Sequence, residues 1–213
     1  GQFGFLGTEL TAEGPISKKS HSSYLVNYRY STLDLFSFMG IALGTNAVPR
    51  YQDAAFKLNF PAKKGAFSVF GIGGMSKIDI LIHNQKPDER DIYGDNDRDQ
   101  YFGTGLGIAG ASYTRSFSAS TFVKFSAAYS SEEQHTHHEL IWFSRDSAGN
   151  NILDEKGLYK FDSLVTILNY SYLIGKASAS LIINHKAGKR NVFKAGANFD
   201  LYRFNLIDSV YNG

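Results

Sequence analysis

Ser23-Tyr24-Leu25-Val26-Asn27-Tyr28-Arg29-Tyr30-Ser31-Thr32-Leu33-Asp34-Leu35-Phe36-Ser37-Phe38 is the stretch on which the reading of the chain turns. Its even positions carry Tyr24, Val26, Tyr28, Tyr30, Phe36 and Phe38, interrupted by Thr32 and Asp34, while its odd positions include Ser23, Asn27, Arg29, Ser31 and Ser37. Successive side chains of a strand point to opposite faces, so this period of two describes a strand with one aromatic and one polar face. Two further segments follow the same rule. Ala54, Phe56, Leu58 and Phe60 oppose Asp53, Ala55, Lys57 and Asn59, and Val123, Phe125, Ala127 and Tyr129 oppose Lys124, Ser126 and Ser130.

Working outward, the 213 residues carry 22 Lys+Arg against 20 Asp+Glu, a net charge of +2, which is too balanced for a dedicated nucleic-acid binder. No nucleic-acid partner is expected. The 17 Phe, 13 Tyr and 21 Gly form an unusual mixture for an ordinary domain. With no Cys, thiolate zinc sites, disulfide frameworks and Cys nucleophiles are excluded. The longest nearly apolar run, Leu35 to Leu43, falls short of the roughly 18 to 20 residues of a membrane helix.

Eight strands are expected, near 2–14, 22–38, 52–60, 66–82, 101–117, 121–144, 160–186 and 191–208. The seventh has two readings: one long strand bulged around Gly175-Lys176, or a hairpin turning there. Connections alternate between tight (17–20, 62–65, 118–120, 188–190) and long and polar (39–52, 82–100, 145–160). In an antiparallel meander every second connection lies at the same end, so one rim is smooth and the other bears large loops. A soluble sandwich also alternates, but its strands average about five or six residues, whereas several here reach fifteen or more. Strands of about 9 to 11 residues cross a bilayer at a tilt. The fold class expected is therefore all-β, an antiparallel transmembrane β-barrel meander, with membrane lipid as a partner. A mean hydropathy of −0.24 agrees with strands of which half face water.

Phe5-Leu6-Gly7-Thr8-Glu9-Leu10-Thr11-Ala12-Glu13-Gly14-Pro15-Ile16, then Ser23 to Leu33, Tyr51-Gln52-Asp53, Phe56 to Pro61 and Phe67 to Gly74 resemble early barrel strands of Bacteroidetes TonB-dependent receptors that carry a carboxypeptidase-regulatory-like domain. The resemblance is specific over residues 5–75, about a third of the chain, and one of barrel style beyond. It implies an outer-membrane barrel of about twenty-two strands in a Gram-negative bacterium, within the range of such barrels. It also implies a plug domain, a TonB box coupled to inner-membrane energy, a possible surface lipoprotein, and import of a siderophore, cobalamin, glycan or peptide. Residues 1–213 contain no plug, no TonB box and too few strands, so they are expected to be a partial barrel domain. The start within a strand and the ending Val210-Tyr211-Asn212-Gly213, without a terminal aromatic, agree with a fragment. The alternatives are a small complete barrel acting as adhesin, anchor or assembly partner, and a soluble β-sheet carbohydrate-binding module. On the barrel reading Arg29, Lys57, Asn59 and Lys124 face the lumen, and Tyr24, Tyr28, Tyr30, Phe36 and Phe56 meet lipid.

No enzymatic activity is expected. Gly105-Leu106-Gly107-Ile108-Ala109-Gly110 matches G-x-G-x-x-G, but Ser112 to Phe117 continues as strand and supplies no helix for a pyrophosphate. Gly103, Gly105, Gly107, Ala109 and Ala111 instead make one smooth face, which in a receptor barrel is expected to receive the plug. The 88–99 loop holds six acids and two Arg, a local charge of −4. Asp95, Asp97 and Asp99 have the alternate spacing of calcium ligands, but Gln100 and Leu106 stand where an EF-hand requires Gly and Glu. A looser calcium site competes with a plain solvated loop, and no other cofactor is expected. His135, His137 and Glu139 share a strand face with the i, i+2 spacing of a zinc or copper chelate. The competing reading is an external strand extension carrying polar residues into water.

Overall fold

The computed structural model describes residues 1–4, 7–17, 19, 21–31, 33, 47, 49–87 and 94–210. Alternation with period two becomes strand almost throughout: β1 Gln2–Phe3, β2 Thr8–Ser17, β3 Ser22–Tyr30, β4 Arg50–Ala62, β5 Gly65–Ile80, β6 Arg98–Ser118, β7 Thr121–Phe143, β8 Phe161–Ala187 and β9 Asn191–Val210. All belong to one antiparallel sheet in sequence order, β1 to β9. The sheet is an open meander, with β1 and β9 as its edges among the described residues.

Among the described residues nine strands stand in place of the eight expected, because the first divides. Gly4 N–H donates to Gly7 O at 2.9 Å, and the chain reverses there so that Gln2 pairs with Glu9. The described part of the second expected strand ends at Tyr30. Residues 32 and 34–46, including Phe36 and the Leu35 to Leu43 run, lie outside the described residues. Of the two readings of the seventh strand the single long strand holds, without the bulge at Gly175-Lys176, and the hairpin is overturned. β8 runs unbroken for 27 residues, and Gly175 keeps register with both Ser131 and Arg203. A Cβ at Gly175 would stand 2.5 Å from Tyr129 Oη, so the phenol of β7 covers this glycine and the strand passes without a bend. The register shifts of β7 with β8 lie elsewhere, at His138/Glu139 and Trp142/Phe143.

The tight connections at 62–65, 118–120 and 188–190 are realised as expected, while residues 18 and 20 of the one at 17–20 lie outside the described residues. Lys63 and Lys64 link the pair Ala62↔Gly65, and Gly188 (φ 74°) opens the turn closed by Ala187↔Asn191. The long connection after β7 is built from two copies of one device. Asp146 Oδ1 accepts the amide N–H groups of Ala148 and Asn150, both at 2.9 Å, with Gly149 at φ 87°. Eight positions on, Asp154 Oδ1 accepts those of Lys156 (2.8 Å) and Leu158 (2.9 Å), with Gly157 at φ 80°. Each is an Asp-initiated turn with glycine where the backbone goes left-handed. Ile152 lies between them, donating to Ser144 O and accepting from Lys160 N, so the connection folds on itself as a small ladder.

Each strand packs mainly on its sequence neighbours, and no second layer covers the sheet among the described residues. Among the described residues one buried apolar cluster, Ala47, Ile80, Ile82 and Ile141 with Ile78, Phe102, Phe143 and Leu164 against it, sits at the long-loop end. There the 3-10 turn Ile82–Asn84 inserts Ile82, fully buried.

Candidate functional site

Register converts one-dimensional alternation into rows that cross the sheet, because residues paired on neighbouring strands share a face. One row reads Ser23, Asn59, Ser68, Ser112, Ser126, Ser180 and Asn198, a polar side chain on each of seven strands. Ser68 Oγ donates to Asn59 Oδ1 at 2.8 Å within it. One residue further along each strand, and so on the opposite face, the row is Tyr24, Leu58, Val69, Ala111, Ala127, Ala179 and Phe199. Nearer the tight turns, Phe60, Phe67, Tyr113, Phe125 and Leu181 form an aromatic-rich row on that same apolar face.

Arg29, Lys57, Asn59 and Lys124 all fall on the polar face. Arg29 Nε donates to Asp53 Oδ2 at 2.8 Å, and its guanidinium lies 5.4 Å from the Tyr51 ring centroid. Asn27 Nδ2 donates to Glu9 Oε1 at 2.7 Å in the same network. Lys176 adds a second charged pair there, 3.2 Å from Asp200 and over the Tyr202 ring. Sequence reasoning missed that pair, because the partners are joined only by the β8–β9 register. Tyr24, Tyr28, Tyr30 and Phe56 all fall on the apolar face; Phe36 lies outside the described residues.

The stripe of Gly103, Gly105, Gly107, Ala109 and Ala111 belongs to the apolar face, in the rows of Phe56 and Tyr24. The stripe therefore lies on the face opposite Arg29, Lys57 and Lys124. Gly103 and Gly105 floor a trough of about 570 Å³, walled on one side by Tyr30 and Met75 and on the other by His135 and His137.

His135 and His137 do share a face, as alternation predicts, but each imidazole turns to an acid on its own strand. His135 Nε2 stands 2.7 Å from Glu133 and His137 Nε2 3.3 Å from Glu139. Asp95, Asp97 and Asp99 do not converge either. Arg98 Nε lies between the first two, 3.4 Å from Asp95 and 2.8 Å from Asp97, and it holds the Asp97 carboxyl below the usual carboxylate range. Asp99 is fully buried, accepts the His83 backbone N–H at 3.2 Å and contacts the His83 imidazole. Residues 88–93 of that loop lie outside the described residues. Among the described residues no three His, Asp or Glu side chains gather as a metal-binding group.

No family model matches the chain, and neither the curated proteins nor the solved structures contain a match.

Proposed function

We propose that this chain is part of the barrel wall of an outer-membrane TonB-dependent receptor, which imports a ligand of the siderophore, cobalamin, glycan or peptide class. One observation carries the membrane part of this reading: a row made wholly of Ser and Asn on one face lies level with aromatic and aliphatic rows on the other. A sheet with a single wet face normally buries its apolar face under a second layer. Here that face stays open, with Phe125 49% and Phe199 66% exposed, and acyl chains are the partner such a surface fits. On β8 the alternation Leu173, Gly175, Ala177, Ala179, Leu181 and Ile183 spans eleven residues, the length that crosses a bilayer at a tilt, about 9 to 11. Beyond it toward the long-loop end the same face turns polar, at Ser171 and Asn169 on β8 and His135 and His137 on β7. The receptor part rests on the resemblance of residues 5–75. Arg29, Lys57, Asn59 and Lys124 then line the interior and meet plug or ligand, and the long loops contribute to ligand capture.

The absence of cysteine makes the test clean. Single cysteines at Ala127 and Ala179 are expected to react in membranes only with a lipid-dissolved maleimide, and those at Ser126 and Ser180 with a water-soluble one. The reverse pattern refutes the membrane assignment. Receptor function predicts that deleting the gene abolishes uptake of one of the four ligand classes, and that complementation restores it only in cells with an intact TonB system. Restoration without TonB refutes it.

A further inference from the structure

The charges of this chain are divided unequally between the two ends of the sheet. Four tight connections are closed by the pairs Ser17↔Ser22, Ala62↔Gly65, Ser118↔Thr121 and Ala187↔Asn191. Taken to three residues beyond each closing pair on either strand, they span 14–25, 59–68, 115–124 and 184–194. These segments hold ten of the 22 Lys and Arg and none of the 20 Asp and Glu, so they carry +10 and leave −8 for the rest of the chain. The acid nearest to them along the strands is Glu13, in the row of Leu25 on the polar face. Ion pairs that neutralise other cations, such as Arg29 with Asp53 and Lys176 with Asp200, lie outside these segments. A dense patch of one sign attracts a layer of the other.

This basic rim borders the apolar face directly. Phe60 and Phe67, with ring centroids 6.4 Å apart, stand two residues from the pair Ala62↔Gly65 and continue through Tyr113 and Phe125 as one exposed row. Arg115 lies on the same face, two residues nearer the turn than Tyr113, with its guanidinium 5.4 Å from the Phe117 ring centroid. An arginine at the margin of an apolar belt lays its stem along the belt and keeps its charged head outside it. In membrane barrels aromatic rows mark the boundary between hydrocarbon and headgroups. From Phe67 to Lys64 the chain covers roughly 10 Å at about 3.3 Å per residue, or about 7 Å of depth after a tilt of about 45°. A bilayer of about 40 to 45 Å around a core of about 30 Å leaves about 5 to 8 Å for each headgroup layer. Lys63 and Lys64 therefore reach phosphate depth when the aromatic row stands at the hydrocarbon boundary.

We propose that the tight-turn rim binds the phosphate groups of anionic phospholipids in the leaflet at that end of the sheet. The inference rests on the membrane reading above and deepens it by naming the lipid chemistry and the end that meets it. An acidic protein would satisfy the basic turns but leave the aromatic row uncovered. A phospholipid fits both, since its phosphate and its acyl chains belong to one molecule. The long-loop end, with the negative remainder of the charge, is repelled by the same headgroups, so the division of charge also favours one orientation of the sheet.

The test uses the full-length protein purified from the cell envelope and placed in nanodiscs of equal parts phosphatidylglycerol and phosphatidylcholine, with retained lipid counted by native mass spectrometry. The expected result is about tenfold preferential retention of phosphatidylglycerol. The triple change Lys63→Gln, Lys64→Gln, Lys189→Gln, confined to turn residues that no strand pairing uses, lowers that preference to about twofold or less. The charge-matched Arg145→Gln, Lys156→Gln, Lys160→Gln in the β7–β8 connection keeps it. Equal retention of the two lipids by the unaltered protein overturns the lipid site, as does a preference that survives the loss of the turn lysines or falls equally in both triple variants. Equal retention combined with loss of a co-purifying acidic protein from the turn variant alone assigns the rim to a protein partner instead. All of these leave the membrane reading intact. A protein that enters nanodiscs of neither lipid refutes the membrane reading itself.

Discussion

Two glycines three residues apart on β6 meet opposite surroundings, and each predicts a different response to the same methyl group. A Cβ at Gly110 would stand 2.7 Å from Ala127 O and 2.8 Å from Ala128 Cβ, so Gly110→Ala must displace backbone. Overpacking of this kind costs roughly 1 to 3 kcal/mol. At Gly107 the space is empty, and replacing a strand glycine by alanine is expected to gain roughly 0.5 to 1 kcal/mol. Urea denaturation of the two variants in detergent micelles should move the midpoint in opposite directions; shifts of the same sign would disprove the packing account. The aspartates of the β7–β8 connection predict a pH response. Backbone amides donating to Asp146 and Asp154 hold both carboxyls below their ordinary range. Their contribution is therefore full above an unfolded value of about 3.9 and is lost as pH falls through the lower folded value. Proteolysis within residues 144–160 should rise only below about pH 4. Asp146→Ala should make it fast at neutral pH as well.

At the scale of elements, strand positions were legible because alternation survives wherever one face is wet and the other dry, as at Tyr24 to Tyr30 and Val123 to Tyr129. The tight turns were legible from Lys63-Lys64-Gly65 and Gly188. Gly175 misled because a mid-strand glycine reads as a bend until its neighbour is known, and Tyr129 lies far away in sequence at a diagonal position on β7. The first strand misled for the opposite reason, since its reversal between Gly4 and Gly7 leaves only a two-residue β1. The acidic connection after β5 looked like a solvated loop or a calcium loop. Its described ends are anchored instead by Ile82 in the apolar cluster and by the Asp99 carboxylate on His83. Ile82→Ala should cost about 2 to 5 kcal/mol and speed backbone amide exchange in residues 81–87 and 98–102. Unchanged exchange there would show that the cluster does not anchor the turn.

At the scale of the molecule, β9 leaves 20 residues exposed along their whole length, with one edge unpaired among the described residues and apolar side chains such as Phe199 and Phe204 in the open. Unpaired edges bearing apolar side chains recruit other chains. Residues 1–213 expressed alone should therefore aggregate in aqueous buffer, and light scattering should find monodisperse particles only in detergent. A monodisperse monomer at high concentration without detergent would favour the soluble carbohydrate-binding alternative over a membrane wall. By itself the order of amino acids determined that this chain is strand-forming, two-faced, free of cysteine chemistry and looped unequally at its two ends, because period-two patterning and turn residues act between near neighbours. Only the tertiary structure decided which residues stand level with one another. The seven-strand row of Ser and Asn, the placing of the glycine stripe on the apolar face, and the meeting of Lys176 with Asp200 all depend on register, and register is set by backbone hydrogen bonds between segments tens of residues apart.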